Sequence, residues 1–180
     1  MSEEVHELHE HAHHAKADPS LVPVTFTMAL LAVFVAAVSL LGHRTHTHEL
    51  LLQNKATDQW AFFQAKNIRR HSYEVFAEFL SITQTKDPEA AAKLAEKYRG
   101  EAERYRDEQK EIEAEARQLE KEVELARQEA DRFDLGEVLL EAALVICSIT
   151  LLTSRRFFWM LGIAFGIAGL AVAISGFWVH

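Results

Sequence analysis

Two stretches of this chain carry no charged side chain, and each is about as long as a helix that crosses a membrane. They are residues 21–42 and 157–179. An apolar run of about 20 residues spans the hydrocarbon core of a bilayer as a helix, because a helix satisfies its backbone hydrogen bonds internally. We therefore predict transmembrane helices over 21–43 and 157–179, with the lipid bilayer as a partner of the chain.

A third apolar stretch lies between them and contains one acid. Residues 138–153 are apolar apart from Glu141, and sixteen helical residues rise about 24 Å, slightly less than the hydrocarbon core. We predict a transmembrane helix over 137–153, and a re-entrant or interfacial segment is the alternative. Because intramembrane acids often mark ion or proton paths, Glu141 is a candidate for such a path or a residue near the headgroups.

The charges around these spans predict an orientation. The turn 154–156 is short and contains Arg155 and Arg156, and short basic loops stay cytoplasmic. Three spans then place the N-terminus inside and residues 44–134 outside, although Arg44, directly after the first span, opposes this. The tail 1–20 is acidic and rich in histidine, which is unlike a cleaved signal peptide, so we expect the first span to be retained.

The polar segment between the first two spans predicts two long helices. Residues 44–84 contain neither Gly nor Pro and should continue the first span, with Phe62, Tyr73, Phe76 and Leu80 on one face. Asp87 then suits an N-cap and Pro88 the first position of a second helix over 88–134.

The second of these helices carries a heptad pattern, which is typical of a coiled coil. One set of positions recurs every seven residues: Ala91, Tyr98, Tyr105, Ile112, Leu119, Ala126 and Phe133. A second set lies four residues further on in each heptad: Ala95, Ala102, Gln109, Ala116, Val123 and Ala130. The small second set lets a partner helix approach closely.

The charges beside this pattern indicate which helix is the partner. The g positions are Glu101, Glu108, Glu115, Glu122 and Glu129, and the e positions are Arg99, Arg106, Glu113, Glu120 and Arg127. Parallel and antiparallel homodimers would both bring Glu against Glu, which is unfavourable. The preceding helix carries Lys55, Lys66, Arg69 and Arg70 and has a similar length, so we predict an antiparallel hairpin within one chain. An intermolecular coil is the alternative.

Small residues follow one stripe in each of two spans. The stripe in the last span is Gly162, Gly166, Gly169, Ala173 and Gly176, and that in the first span includes Ala29, Ala32 and Ala36. Small residues let helix backbones approach closely inside a membrane, so these stripes are candidates for helix packing, either between copies or within one chain.

Histidines form two clusters that the first span separates. In the tail, residues 9–13 match the H-E-x-x-H motif, which makes His9 and His13 candidate metal ligands. His43, His46 and His48 follow the first span and are further candidates for metal or pH sensing. The alternatives are a solvated tail and a polar collar at the membrane surface.

Composition excludes several functional classes. The single cysteine, Cys147, excludes a disulfide framework, and a net charge of −8 without a basic face argues against nucleic acid as a partner. We find no catalytic motif and no phosphate-binding glycine loop, so we expect a protein that is not an enzyme and binds no cofactor.

Two stretches carry a resemblance to a known family. They are VHELHEHAHHAKADPSLVPVTFTMALLAV and LLGHRTHTHELLLQNKATDQWAFFQAKNIRRHSYE, of which GHRTHTHELLLQNKATDQWAFFQAK is the most specific part; the turn TSRRFFW also fits. The chain resembles a bacterial membrane-protein family known as domain-of-unknown-function family four-three-three-seven. The resemblance implies a bacterial membrane protein with this layout, and it implies no activity, ligand or catalytic residue. We expect the protein in the bacterial cytoplasmic (inner) membrane.

These inferences together predict an all-α integral membrane protein with three transmembrane helices and a long antiparallel hairpin between the first and second. We expect a structural or interaction protein that forms a homo-oligomer or associates with another membrane or envelope protein. The alternative is a small ion-transport or metal- or pH-sensing protein that uses Glu141 and the histidines.

Overall fold

The computed structural model of the protein describes residues 21–179, and these form three helices. They are α1 (Val22–Ile82), α2 (Pro88–Thr153) and α3 (Arg156–Gly176). No strand occurs within residues 21–179, so the predicted all-α fold is confirmed for this part of the chain. Each helix contains a stretch that is long and apolar enough to cross a membrane, as judged by length and composition.

Two of the helices are much longer than a membrane span. α1 has 61 residues, so the first apolar run continues into the polar segment as one helix, which ends at Ile82 rather than at the predicted residue 84. α2 has 66 residues and continues through 135–136, between the predicted coiled-coil segment and the predicted second span. Gly136 therefore lies inside a helix, and the change from polar to apolar sequence occurs without a break.

The chain divides into two compact units, which both α1 and α2 enter. The three-helix unit contains residues 21–48 and 125–179 of the described chain, and the two-helix unit contains residues 49–124. The predicted apolar spans belong to the first of these, and most of the predicted hairpin belongs to the second.

The three-helix unit has an apolar core to which all three helices contribute. Its buried residues are Leu31 and Val38 from α1, Phe133, Leu140, Ala143 and Cys147 from α2, and Ala173 from α3. α1 turns residues seven apart toward this core, since Val24, Leu31 and Val38 are all buried. A seven-residue interval keeps one narrow face of a helix against its neighbours.

α2 and α3 are joined by a very short link with one left-handed residue. Ser154 has φ of 54°, and its backbone N–H donates to the carbonyl of Thr150 at 2.8 Å. A left-handed residue commonly ends a helix, and a residue other than glycine there costs some backbone energy. Arg155 is extended, and α3 begins at Arg156.

In the two-helix unit, α1 and α2 pair along one seam. Buried side chains come from Leu52, Ala56 and Ala77 of α1, and α2 contributes Ala95, Ala102, Tyr105, Gln109, Ile112 and Ala116. All of the α2 residues belong to the predicted heptad sets. At the turn, the Asp87 carboxylate accepts a hydrogen bond from the N–H of Ala90 at 3.0 Å, which is the predicted N-cap.

Candidate functional site

Polar contacts between α1 and α2 establish the direction of their pairing in the two-helix unit. The Lys66 ammonium contacts the Glu108 carboxylate at 2.5 Å. Gln59 Nε2 donates to Glu115 at 2.7 Å, and two more contacts join Trp60 to Glu120 and Arg106 to Glu74. The partners in α2 are residues 115 and 120 for residues 59 and 60 of α1, then 108 for residue 66 and 106 for residue 74. The two helices are therefore antiparallel within one chain.

A row of aromatic and basic side chains crosses the seam of the two-helix unit. The ring of Tyr73 lies 5.7 Å from that of Tyr105, nearly parallel to it, and the Lys66 ammonium lies 4.9 Å from the Tyr105 ring centre. A hydrogen bond from Arg69 lowers the pKa of the Tyr105 hydroxyl. The hydrogen bond from Lys66 likewise lowers the pKa of Glu108. These groups stabilise the pairing of the helices, because each cation faces a ring or a carboxylate.

The seam also contains a buried polar residue. Gln109 is only 5% exposed, and its Nε2 has no hydrogen-bond partner among the described residues. A buried donor without an acceptor destabilises a fold by about 1–3 kcal/mol. A polar residue at such a position can, however, favour one register of a coiled coil over others.

The outward side of α1 in the two-helix unit carries a second heptad pattern. We name it the outer seam: Ala61, Ala65, Ile68, Ser72, Val75, Phe79 and Ile82, all exposed. Its large members expose 57–82% of their surface, from Phe79 to Ile82. These residues alternate at intervals of four and three, which places them on one face of a helix.

The outer seam went unnoticed in the sequence because the faces of α1 were assigned differently. The sequence predicts one face for Phe62, Tyr73, Phe76 and Leu80, but the structure exposes the two phenylalanines and half-buries Tyr73 and Leu80. The inward face has polar Gln59 and Lys66 at core intervals, and their stems pack while their ends reach carboxylates. A count of apolar residues therefore does not identify the inward face of α1, and so does not separate it from the outer seam.

The small residues of α3 all lie against α2 or α1. Gly162, Gly166, Gly169, Ala173 and Gly176 are buried. A methyl group placed on Gly169 would lie 2.9 Å from the carbonyl oxygen of Gly136, and one on Gly162 would collide with the Cys147 sulfur. The stripe therefore packs helices within one chain.

The alanine stripe of α1 lies elsewhere. Ala29, Ala32 and Ala36 are exposed, because α1 turns Leu31 and Val38 toward the core instead. Among the described residues, these alanines therefore lie outside the buried core of the three-helix unit.

A close contact that the sequence analysis did not single out involves Gly136. A methyl group on this residue would lie 2.8 Å from the Cβ of Ala173 and 3.0 Å from the carbonyl oxygen of Gly169, so α2 and α3 also approach closely here. The sequence feature that could have indicated this contact is a glycine directly before the predicted second span, since the last span carries a stripe of glycines that could pack against it.

The structure does not gather the candidate metal ligands into one site. His43 Nδ1 donates to the carbonyl of Ser39 at 3.1 Å, His46 Nε2 contacts the Asp134 carboxylate at 3.1 Å, and His48 is exposed. Residues that are two positions apart in a helix point in directions about 200° apart, so His48 cannot share the face of His46. Within residues 21–179, no three His, Cys, Asp or Glu side chains are placed to hold a metal ion. His9 and His13 lie outside the described residues.

Glu141 lies on the outside of the three-helix unit. Its side chain is exposed, whereas its neighbour Leu140 is fully buried in the core. Within one chain, the acid therefore does not lie between the three helices.

Comparison with protein-family profiles matches residues 20–179 to one family, which is described as Domain of unknown function (DUF4337). The chain belongs to this family. The match covers all three helices and both units, so the family model includes every residue that the structure describes. No curated protein and no solved structure matches the chain.

Proposed function

We propose that this member of the family is a membrane-anchored structural or interaction protein without enzymatic activity, whose two-helix unit meets protein partners. One observation carries the proposal. The two-helix unit is polar and internally paired, yet it exposes a strip of apolar side chains that contains one serine, the outer seam. Soluble surfaces rarely expose ordered apolar strips, and such strips typically mark interaction sites.

The chemistry of the charged residues supports a structural role. Cations and carboxylates of the two-helix unit contact each other across the seam, as Lys66 does with Glu108, or along one helix, as Arg117 does with Glu113. Side chains engaged in this way stabilise helices and are poorly placed to react with a substrate.

We further propose that the protein resides in the bacterial cytoplasmic membrane with the two-helix unit outside. Three apolar helices support the membrane location. The orientation is supported by Arg155 and Arg156 beside the short link between α2 and α3, because basic residues in short loops favour the cytoplasmic side.

Labelling of single cysteines tests the orientation. Cys147 is fully buried, so the full chain serves as its own background. Lys121→Cys lies on the exposed side of α2, and Ser154→Cys lies in the link. A membrane-impermeant maleimide should label the first variant in intact cells and the second only after lysis. Labelling with the opposite order would overturn the proposed orientation.

Photo-crosslinking in native membranes tests the interaction role. A photoreactive residue at Val75 reports on the outer seam, and one at Val138 reports on the exposed side of the three-helix unit. We expect Val75 to crosslink to protein and Val138 to lipid. If Val75 crosslinks only to lipid, or to nothing at native expression, the two-helix unit does not meet proteins and the proposed role is wrong.

A further inference from the structure

We propose that the outer seam of α1 docks against the outer seam of a second copy of this chain, with the two α1 helices packed in parallel. This inference rests on the proposed membrane anchoring, and it names the partner of the proposed interaction surface.

The spacing of the outer seam is that of a helix that pairs with another helix. Ala65, Ser72 and Phe79 are seven residues apart, and the remaining members form a second series with the same interval: Ala61, Ile68, Val75 and Ile82. These are the a and d positions of a coiled coil, on the side of α1 opposite the seam that α2 fills. The a positions include two small residues, so a second helix could approach closely.

The flanking residues permit pairing with an identical helix. In a parallel pair, each g position meets the e position five residues later on the other copy. The resulting pairs are Gln64 with Arg69, His71 with Phe76 and Glu78 with Thr83. None of these pairs brings like charges together, whereas the Glu-rich flanks of the α2 heptad oppose self-pairing.

The parallel direction follows from the membrane. Copies anchored in one bilayer with one orientation send α1 out of the same face, so the two α1 helices run in the same direction. Confinement to one bilayer raises the effective concentration of copies, which lets a seam of about three heptads associate stably.

A membrane surface is a less suitable occupant than a second copy. In residues 49–124, 17 Asp and Glu outnumber 13 Lys and Arg, whereas helices that lie on a membrane surface are typically rich in lysine and arginine on their polar face. A strip that binds lipid would be expected among lysines and arginines.

Disulfide trapping in native membranes tests the proposal with the full chain. Ala65→Cys and Ser72→Cys are small changes at a positions, and an in-register parallel pair brings each cysteine to its own counterpart. Disulfides need Cα atoms about 4.4–6.8 Å apart. With copper phenanthroline as oxidant, we expect both variants to form covalent dimers. The matched control Lys121→Cys and the unchanged chain, whose Cys147 is buried, should form none.

A second variant separates docking from folding. Ile68→Glu with Val75→Glu, added to Ser72→Cys, should abolish the dimer without changing the helical circular dichroism, because both side chains are exposed in one chain. If this variant still forms the dimer, the outer seam is not the interface.

The other outcomes also decide the proposal. A dimer with Ser72→Cys but not Ala65→Cys indicates antiparallel packing and overturns it. The absence of both dimers overturns it as well. If neither dimer forms but Val75 crosslinks to a different protein, the proposed interaction role still holds. If neither dimer forms and Val75 crosslinks only to lipid, the proposed interaction role is overturned as well.

Discussion

The close approach of α2 and α3 predicts that Gly169→Ala destabilises the three-helix unit. The added methyl group would lie 2.9 Å from the carbonyl oxygen of Gly136, 3.0 Å from Leu140 Cγ and 3.1 Å from Leu139 Cβ. The helices must therefore separate by a few tenths of an ångström. Overpacking of this kind typically costs about 1–3 kcal/mol, and the better helix propensity of alanine returns about 1 kcal/mol. We expect a net loss of about 1 kcal/mol.

Cys147 provides the assay for this change. It is the single cysteine of the chain, and it is fully buried in the core of the three-helix unit. Its alkylation by a small, membrane-permeant maleimide in detergent micelles reports how often this unit opens. A loss of about 1 kcal/mol should raise the alkylation rate about fivefold. An unchanged or lower rate would show that α2 and α3 are not in backbone contact at this position.

The matched control is the same substitution at a glycine with free space. A methyl group on Gly100 would meet nothing within 4 Å. Gly100→Ala should therefore stabilise the two-helix unit by up to about 1 kcal/mol, the difference in helix propensity. The thermal midpoint of this variant by far-UV circular dichroism should rise. A glycine-to-alanine change is therefore expected to stabilise the two-helix unit and to destabilise the three-helix unit. A lower midpoint would contradict the open environment of Gly100.

Three further predictions concern single polar residues. Lys66 lowers the pKa of Glu108, so the contact stabilises the fold fully above the ordinary pKa of glutamate and less as pH falls through the lowered pKa. Glu108→Gln should therefore flatten the pH dependence of the thermal midpoint below about pH 4.3. An unchanged pH dependence would contradict the contact. Gln109→Met should raise the thermal midpoint by removing a buried donor without an acceptor, unless the register of the hairpin then becomes heterogeneous in crosslinking. Glu141→Gln should leave the alkylation rate of Cys147 unchanged, since the acid is exposed; a faster rate would indicate a partner for the acid and support the ion-path alternative.

The hairpin was predictable because it depends on local sequence features, namely the spacing of apolar and charged residues along each helix. The α2 heptad alternates apolar residues with charges, and Asp87 with Pro88 marks the start of the helix. The glutamates beside the heptad argue against self-pairing, and Lys66 on the preceding helix offers them a cationic partner. Each of these inferences needs only the spacing of residues along one helix.

The faces of α1 were harder to predict, for two different reasons. In its apolar part, Ala29 and Leu31 are equally compatible with lipid, so polarity does not indicate which face is buried. In its polar part, Gln59 and Lys66 occupy inward positions, and long polar side chains hide a packing face from a count of apolar residues. Only the position of α2 distinguishes the inner face from the outer seam.

The short link at Ser154 limits how this part of the chain can change length during evolution. α2 and α3 meet in one fixed register, with Gly162 against Cys147, Gly169 against Leu140 and Gly176 against Phe133. One residue inserted in α3 ahead of its glycines would rotate them by about 100° relative to the start of the helix, and the short link leaves little chain to compensate. Single-residue insertions and deletions should therefore be eliminated here, while changes of about seven residues, matched in both helices, would preserve the contact.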